Sequence, residues 1–305
     1  MANGIEDEMV EISRKLKRYF EKYKINFLLR LTISLAILIY ISFKIDYSTL
    51  GLLDDSILIY FIASLLISFL SLFIMSVRWK IIIENNSFIR ANVIDLYGFN
   101  FIGNFFSIFL PGSIGGDASR IYNSGKKYNI ELKSAALFVL TERVMGLLGV
   151  ILIFSFASIM ASEAHLPSEI DKMPYFFLFS LAIFAIFKNK IIKNKIYLIN
   201  NKKFFVLICF SVIAQFGDIL IVSVLSDYFN IPITILQLMI IMPLIYIASI
   251  LPISIGGLGV REGAMATLFA LFGFEPSISV VISLLLYFTK VCMAIVGGII
   301  YIRKT

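Results

Sequence analysis

Charge is what these 305 residues have least of: Asp, Glu, Lys and Arg make up 15% of the chain and apolar types 59%. A soluble domain carries about 25% charged residues, so most of this chain is expected to have lipid as its solvent. Histidine occurs once, as His165 in a short polar stretch, which removes H-E-x-x-H zinc sites and serine–histidine pairs from consideration. The two cysteines, Cys209 and Cys292, sit inside apolar runs, so neither a disulfide framework nor a thiolate metal centre is expected. No soluble stretch exceeds about 30 residues, which leaves no room for a nucleotide-sugar or acyl-transfer domain. Catalytic residues, metals and cofactors are therefore all expected to be none. The net charge of +7 does not point to nucleic acid, because the basic residues flank hydrophobic runs instead of covering a compact face.

What the chain has instead is a series of long apolar runs. A crossing of about 30 Å of hydrocarbon takes about 20 residues. Residues 27–43, 57–77, 134–160, 204–225 and 278–302 qualify, with 173–187 a shorter candidate. Two further stretches, 93–110 and 233–251, are read as arms of re-entrant or broken elements, with two full crossings at each place the other option. Residues 1–26 lack a cleavable-signal pattern. They place Ile5, Met9, Ile12, Leu16, Tyr19 and Tyr23 on one helical face among many Lys and Arg, as a basic helix on a membrane surface or a plain juxtamembrane extension would. Lys and Arg collect on the cytoplasmic side. The basic start, residues 78–92 with Arg78, Lys80 and Arg90, residues 120–133 and 188–203, and the Arg303–Lys304 end are accordingly expected inside. The acidic loops 44–56 and 161–172 are expected outside. The expected architecture is an all-α polytopic membrane protein of about six spans plus two dipping elements, with both termini cytoplasmic at the plasma membrane.

One string occurs twice. Residues 110–120 read LPGSIGGDASR and residues 251–261 read LPISIGGLGVR, seven identities in eleven positions at an offset of 141. The same offset carries 57–77 onto 198–218 and 134–157 onto 275–298, near the corresponding runs. Repeats 27–160 and 173–302, joined by the outside loop 161–172, therefore suggest inverted topology, an arrangement that places a substrate site where broken elements meet. Pro111 and Pro252 break helices, and Gly115–Gly116 and Gly256–Gly257 allow hinges, with a new helix expected after each Gly-Gly. Its free N–H groups, with Arg120 or Arg261 alongside, suit a phosphate or carboxylate. Small-residue contact between packed helices, through Gly112-x-x-x-Gly116 and Gly259-x-x-x-Gly263, is the competing reading.

Ionisable residues inside spans each cost roughly 3 kcal/mol or more at the bilayer centre unless paired or hydrated. Glu142 and Arg143 lie in the third span, Asp218 deep in the fourth with Gln215 on the same face, and Lys290 mid-way along the last. With Asp117, Arg120, Arg261 and Glu262 they make four acids and four bases. Such a balanced set fits internal ion pairs as readily as a ligand site, and a lipid phosphate would need one arginine released from its carboxylate. Proton cycling on Asp218 or Glu142 stays open as well.

The segments LPGSIGGDASRIY, TERVMGLLGV and above all LPISIGGLGVREGA resemble the lysylphosphatidylglycerol synthase transmembrane-region family over about residues 27–302. The resemblance implies a domain that, in bacterial multiple-peptide-resistance proteins, moves an aminoacylated phospholipid between leaflets, and that also occurs alone or fused to glycosyltransferases. It further implies that Asp117, Arg120, Glu142, Arg143, Arg261 and Glu262 belong to family motifs. No synthase domain is expected to follow residue 305, so another phospholipid, an isoprenoid phosphate or a lipid-linked sugar is equally expected as substrate. The expected function is movement of an anionic or amphiphilic membrane lipid between leaflets; the alternative is a non-catalytic scaffold for a separate lipid-modifying enzyme or glycosyltransferase.

Overall fold

The computed structural model describes residues 51, 53–86, 89–109, 114–160, 201–250 and 257–304, with a few isolated positions between 32 and 43. The expected surface helix 1–26, the runs 27–43 and 173–187, the loop 161–172 and the hinge residues Pro111, Pro252 and Gly256 lie outside the described residues. The described chain is all-helical: α1 (Ile57–Asn86), α2 (Val93–Phe109), α3 (Ile114–Tyr128), α4 (Leu132–Met160), α5 (Asn201–Tyr228), α6 (Ile235–Ile250), α7 (Val260–Leu271) and α8 (Pro276–Lys304). Helices α1, α4, α5 and α8 are long and apolar enough to cross a membrane, while α2 and α6 are shorter apolar helices.

The helix boundaries follow local chemistry. Asp54 accepts the Ser56 N–H just before α1, and Thr234 and Gln237 form a reciprocal capping box at the start of α6. Pro276 opens α8, where its missing N–H costs nothing. Helix α7 closes on Gly273 at φ 82°, with the Phe274 N–H reaching back to the Phe269 carbonyl and the two rings in contact at 6.0 Å. Asn129 ends α3 in the same left-handed way.

Helices α2 and α3 form a hairpin that returns to its point of entry. Tyr128, the last residue of α3, receives the Asn92 N–H on its hydroxyl oxygen and donates to the Asn92 carbonyl, and Lys127 pairs with Asp95. At the tip, Gly116 lies so close to α2 that a Cβ would stand 2.6 Å from the Gly103 carbonyl oxygen.

The helix pairs in substantial contact obey an exchange rule. Replace α1, α2, α3 and α4 by α5, α6, α7 and α8, and the reverse. Then α1–α2 becomes α5–α6, α2–α3 becomes α6–α7, α3–α4 becomes α7–α8, α1–α4 becomes α5–α8, α2–α8 becomes α6–α4, and α1–α8 becomes α5–α4. Every one of these pairs is present, and α1–α5 maps onto itself. Helices α1 and α5 run antiparallel: the Asp54 N–H meets the Tyr228 hydroxyl at one end, Ser71 abuts Gly217, and Arg78 meets Ser211 further along. One apolar core gathers α5–α8 with the end of α4, around Phe154, Leu225 and Phe269. A second joins α1, α2 and the first half of α4 around Trp79, Ile82 and Ile102.

Candidate functional site

Between the two cores lies a buried ionic cluster. Glu142, on α4, is almost wholly buried and receives two arginines. Arg78 of α1 binds its Oε1 and also donates to the Ser211 hydroxyl at 2.9 Å. Arg120 of α3 binds Oε2 through both terminal nitrogens at 3.1 Å. The next residue, Arg143, points the other way and takes Asp117 in a bidentate grip, with Nη2 at 2.8 Å and Nε at 3.1 Å. Asp117 also has Arg120 Nη1 at 3.6 Å. The Arg120 guanidinium lies over the Trp79 ring, 4.4 Å from its centroid, a stacking geometry that favours the cation.

Arg261 sits in a second cluster, at the start of α7. It bonds Glu262 at 2.9 Å and the Ser283 hydroxyl of α8 at 3.3 Å, and it lies 5.1 Å over the Tyr287 ring. Glu262 also accepts the Gly259 N–H at 2.6 Å, so the helix end is capped by its own carboxylate. Gly257 and Gly259 occupy φ 82° and 84°, a region that side chains adopt only with strain.

The clusters meet at a cavity of about 410 Å³, a size typical of small-molecule sites. Among the described residues its wall carries Arg78, Arg143, Arg261 and Lys290 against one carboxylate, Asp218. Lys290 and Asp218 pair at 3.3 Å, both partly exposed to the cavity. Asn104 and Ser107 of the first hairpin and Ser249 and Gly257 of the second reach the same space. Helix α6 presents Pro243 and, a turn later, Tyr246.

All eight expected charged residues thus fall into three paired groups, and Arg143, Arg261, Asp218 and Lys290 share one cavity. The expectation of balanced charge is corrected. Arg78, read from the sequence as a flank of its span, lies within α1, is buried, and joins the cluster. It makes five bases against four acids among Arg78, Arg120, Arg143, Arg261, Lys290, Asp117, Glu142, Asp218 and Glu262. The hinge expectation is also corrected in part. Helix α3 starts at Ile114, so Gly115 and Gly116 are helical, and Gly116 serves close packing on α2; at Gly257–Gly259 a turn does precede a new helix. Besides Arg78, sequence reasoning missed Trp79, Ser211, Ser283 and Tyr246. Arg78 carried a signal, being a cation at the edge of an apolar run. The others looked like ordinary span residues.

Four long apolar helices around a cation-lined cavity define a helical membrane protein. Residues 27–192 and 185–298 match the sequence model of the lysylphosphatidylglycerol synthase TM region family, and the chain belongs to that family. It is thereby linked to lipid biosynthesis or transport. Among curated proteins and among solved structures, none matches it.

Proposed function

We propose that this protein is a non-enzymatic lipid transporter that moves an anionic or amphiphilic lipid between leaflets. The headgroup passes through the cavity while the tails stay in the bilayer. One observation carries the reading: a cavity among long apolar helices whose wall, among the described residues, holds four cationic side chains and one carboxylate. Cations inside a membrane are costly, and concentrating them on one wall of an otherwise largely apolar cavity suits a negatively charged headgroup. In this reading the exchange rule among helix neighbours and the antiparallel α1–α5 pair reflect two halves of inverted topology. The hairpin α2–α3 and its counterpart α6–α7 are then elements dipping from opposite faces, and their tips bracket the headgroup. Both termini face the cytoplasm of the plasma membrane.

The test is transport by purified protein in vesicles carrying a fluorescent phosphatidylglycerol, scored by the fraction that an impermeant quencher can reach. Accelerated exchange between leaflets, lowered at least tenfold by Arg261→Gln, is the expected result. Exchange no faster than in protein-free vesicles would leave the chain as a scaffold for a separate enzyme. Covalent turnover of the labelled lipid would make it a transferase.

A further inference from the structure

The buried cluster around Glu142 has three bases, Arg78, Arg120 and Arg143, and two acids, Glu142 and Asp117. Its surplus is one positive charge. Two bases are buried: the side chains of Arg78 and Arg120 are 3% and 5% exposed. Arg143 is 38% exposed and lines the cavity, whereas its partner Asp117 does not. Asp117 has a second cation within reach, Arg120 Nη1 at 3.6 Å, and Glu142 keeps Arg78 as well as Arg120. Arg143 can therefore leave Asp117 with both carboxylates still neutralised. No other arginine at the cavity has that freedom: Arg261 shares its charge with Glu262, and Arg78 is held by Glu142 and Ser211.

We infer that Arg143 is the residue that binds the headgroup, exchanging Asp117 for a singly charged phosphodiester while Arg120 closes on Asp117. The inference rests on the transport reading above and supplies its recognition step. Tyr246, on the cavity wall one turn beyond Pro243, supplies a phenolic O–H to the same phosphate. The exchange is selective for net charge. One negative charge cancels the surplus, whereas a zwitterion brings its own cation into a wall already rich in them. Asp117 acts as the competitor that keeps Arg143 occupied when the cavity is empty, so binding strength depends on a carboxylate the ligand never touches.

Trp79 is the only tryptophan of the chain and lies beneath Arg120, so its emission reports the movement of Arg120 towards Asp117. The experiment titrates the full chain in detergent with dihexanoylphosphatidylglycerol, which has one phosphodiester and net charge −1, and with dihexanoylphosphatidylcholine, which has the same phosphodiester and net charge zero. Calorimetry of the same titrations secures the result should the emission stay silent. The expected outcome is saturable binding of the first lipid, at least tenfold weaker binding of the second, and a loss of at least tenfold for the first in Arg143→Gln. Asp117→Asn is expected to bind severalfold more tightly than wild type, because the competitor is gone, and Tyr246→Phe about three- to tenfold more weakly. Wild-type affinity in Arg143→Gln, equal affinity for the two lipids, or weaker binding in an Asp117→Asn variant of unchanged melting temperature would each overturn it. Failure of the two proposals is distinguishable. Binding that obeys this pattern without transport in vesicles sinks the transport reading alone. Transport with Arg143→Gln binding as wild type sinks the exchange alone.

Discussion

The repeated string places an arginine at the same point of both halves, Arg120 and Arg261, and the two are neutralised in different ways. Arg120 takes its carboxylate from across a helix interface, Glu142 of α4, and stacks on Trp79 of α1. At the offset of 141, Glu142 corresponds to Ser283, and Arg261 does touch Ser283. There the position offers only a hydroxyl, and the charge comes from Glu262, the adjacent residue of the same helix. The difference teaches where rigidity resides. A pair made between helices ties α3 to α4 and α1. A pair made within α7 neutralises its arginine on the helix itself, and the ties to α8 are the Ser283 hydroxyl and the Tyr287 ring. The first hairpin is thus anchored through its ion pairs, whereas the second is self-contained in charge and held by neutral contacts.

The largest effect should come from Glu142→Ala, which breaks the inter-helix pairing, leaves Arg78 buried without a carboxylate and leaves Arg120 with Asp117 alone at 3.6 Å. A loss of about 3–5 kcal/mol is expected, read as a collapse of the melting temperature in detergent. Glu262→Gln removes the charge but keeps a carbonyl to cap Gly259, so about 1–3 kcal/mol is expected. A similar loss for Glu142→Gln would contradict the distinction between anchored and self-contained hairpins. The double variant Glu262→Gln with Ser283→Glu moves the carboxylate to the position Glu142 holds in the other half; it should recover most of that loss and tie α7 to α8, visible as slower hydrogen exchange along α7. Ser283→Ala alone removes a hydroxyl shared by Arg261 and Glu262 and should cost about 1 kcal/mol.

The smallest effect concerns the α1–α5 tie at Asp54. Its carboxyl is held below the usual range, chiefly by the Ser56 hydroxyl. A lowered folded value means its contribution is present above the ordinary carboxylate pKa and lost as pH falls through the folded one. Asp54→Asn should therefore lower the melting temperature slightly at neutral pH and flatten its decline in acid.

Much of the fold was legible in the chain. Spans 57–77, 134–160, 204–225 and 278–302 fall inside α1, α4, α5 and α8, and the shorter runs become α2 and α6. The offset read from the repeated string carries each described helix of the first half to within a few residues of its counterpart. The ion pairs were only half legible. Glu142, Arg143 and Asp117 announced themselves as charges in or beside apolar runs. Arg78 showed only as a cation at the edge of its run, which ends at Val77, while the helix continues to Asn86 and its partner Glu142 lies on α4. Gly115–Gly116 read as a hinge, yet the same two residues also suit a helix pressed against another. Local sequence does not distinguish these uses.

By itself, then, the sequence determined the solvent of this protein, its helical class, the doubling of its motif and the list of charges that needed partners, since composition and periodicity are properties of neighbours along the chain. The choice of partner was settled only in three dimensions. Helix register and close approach decide which carboxylate faces which guanidinium, and so whether an arginine is locked away or left facing the cavity.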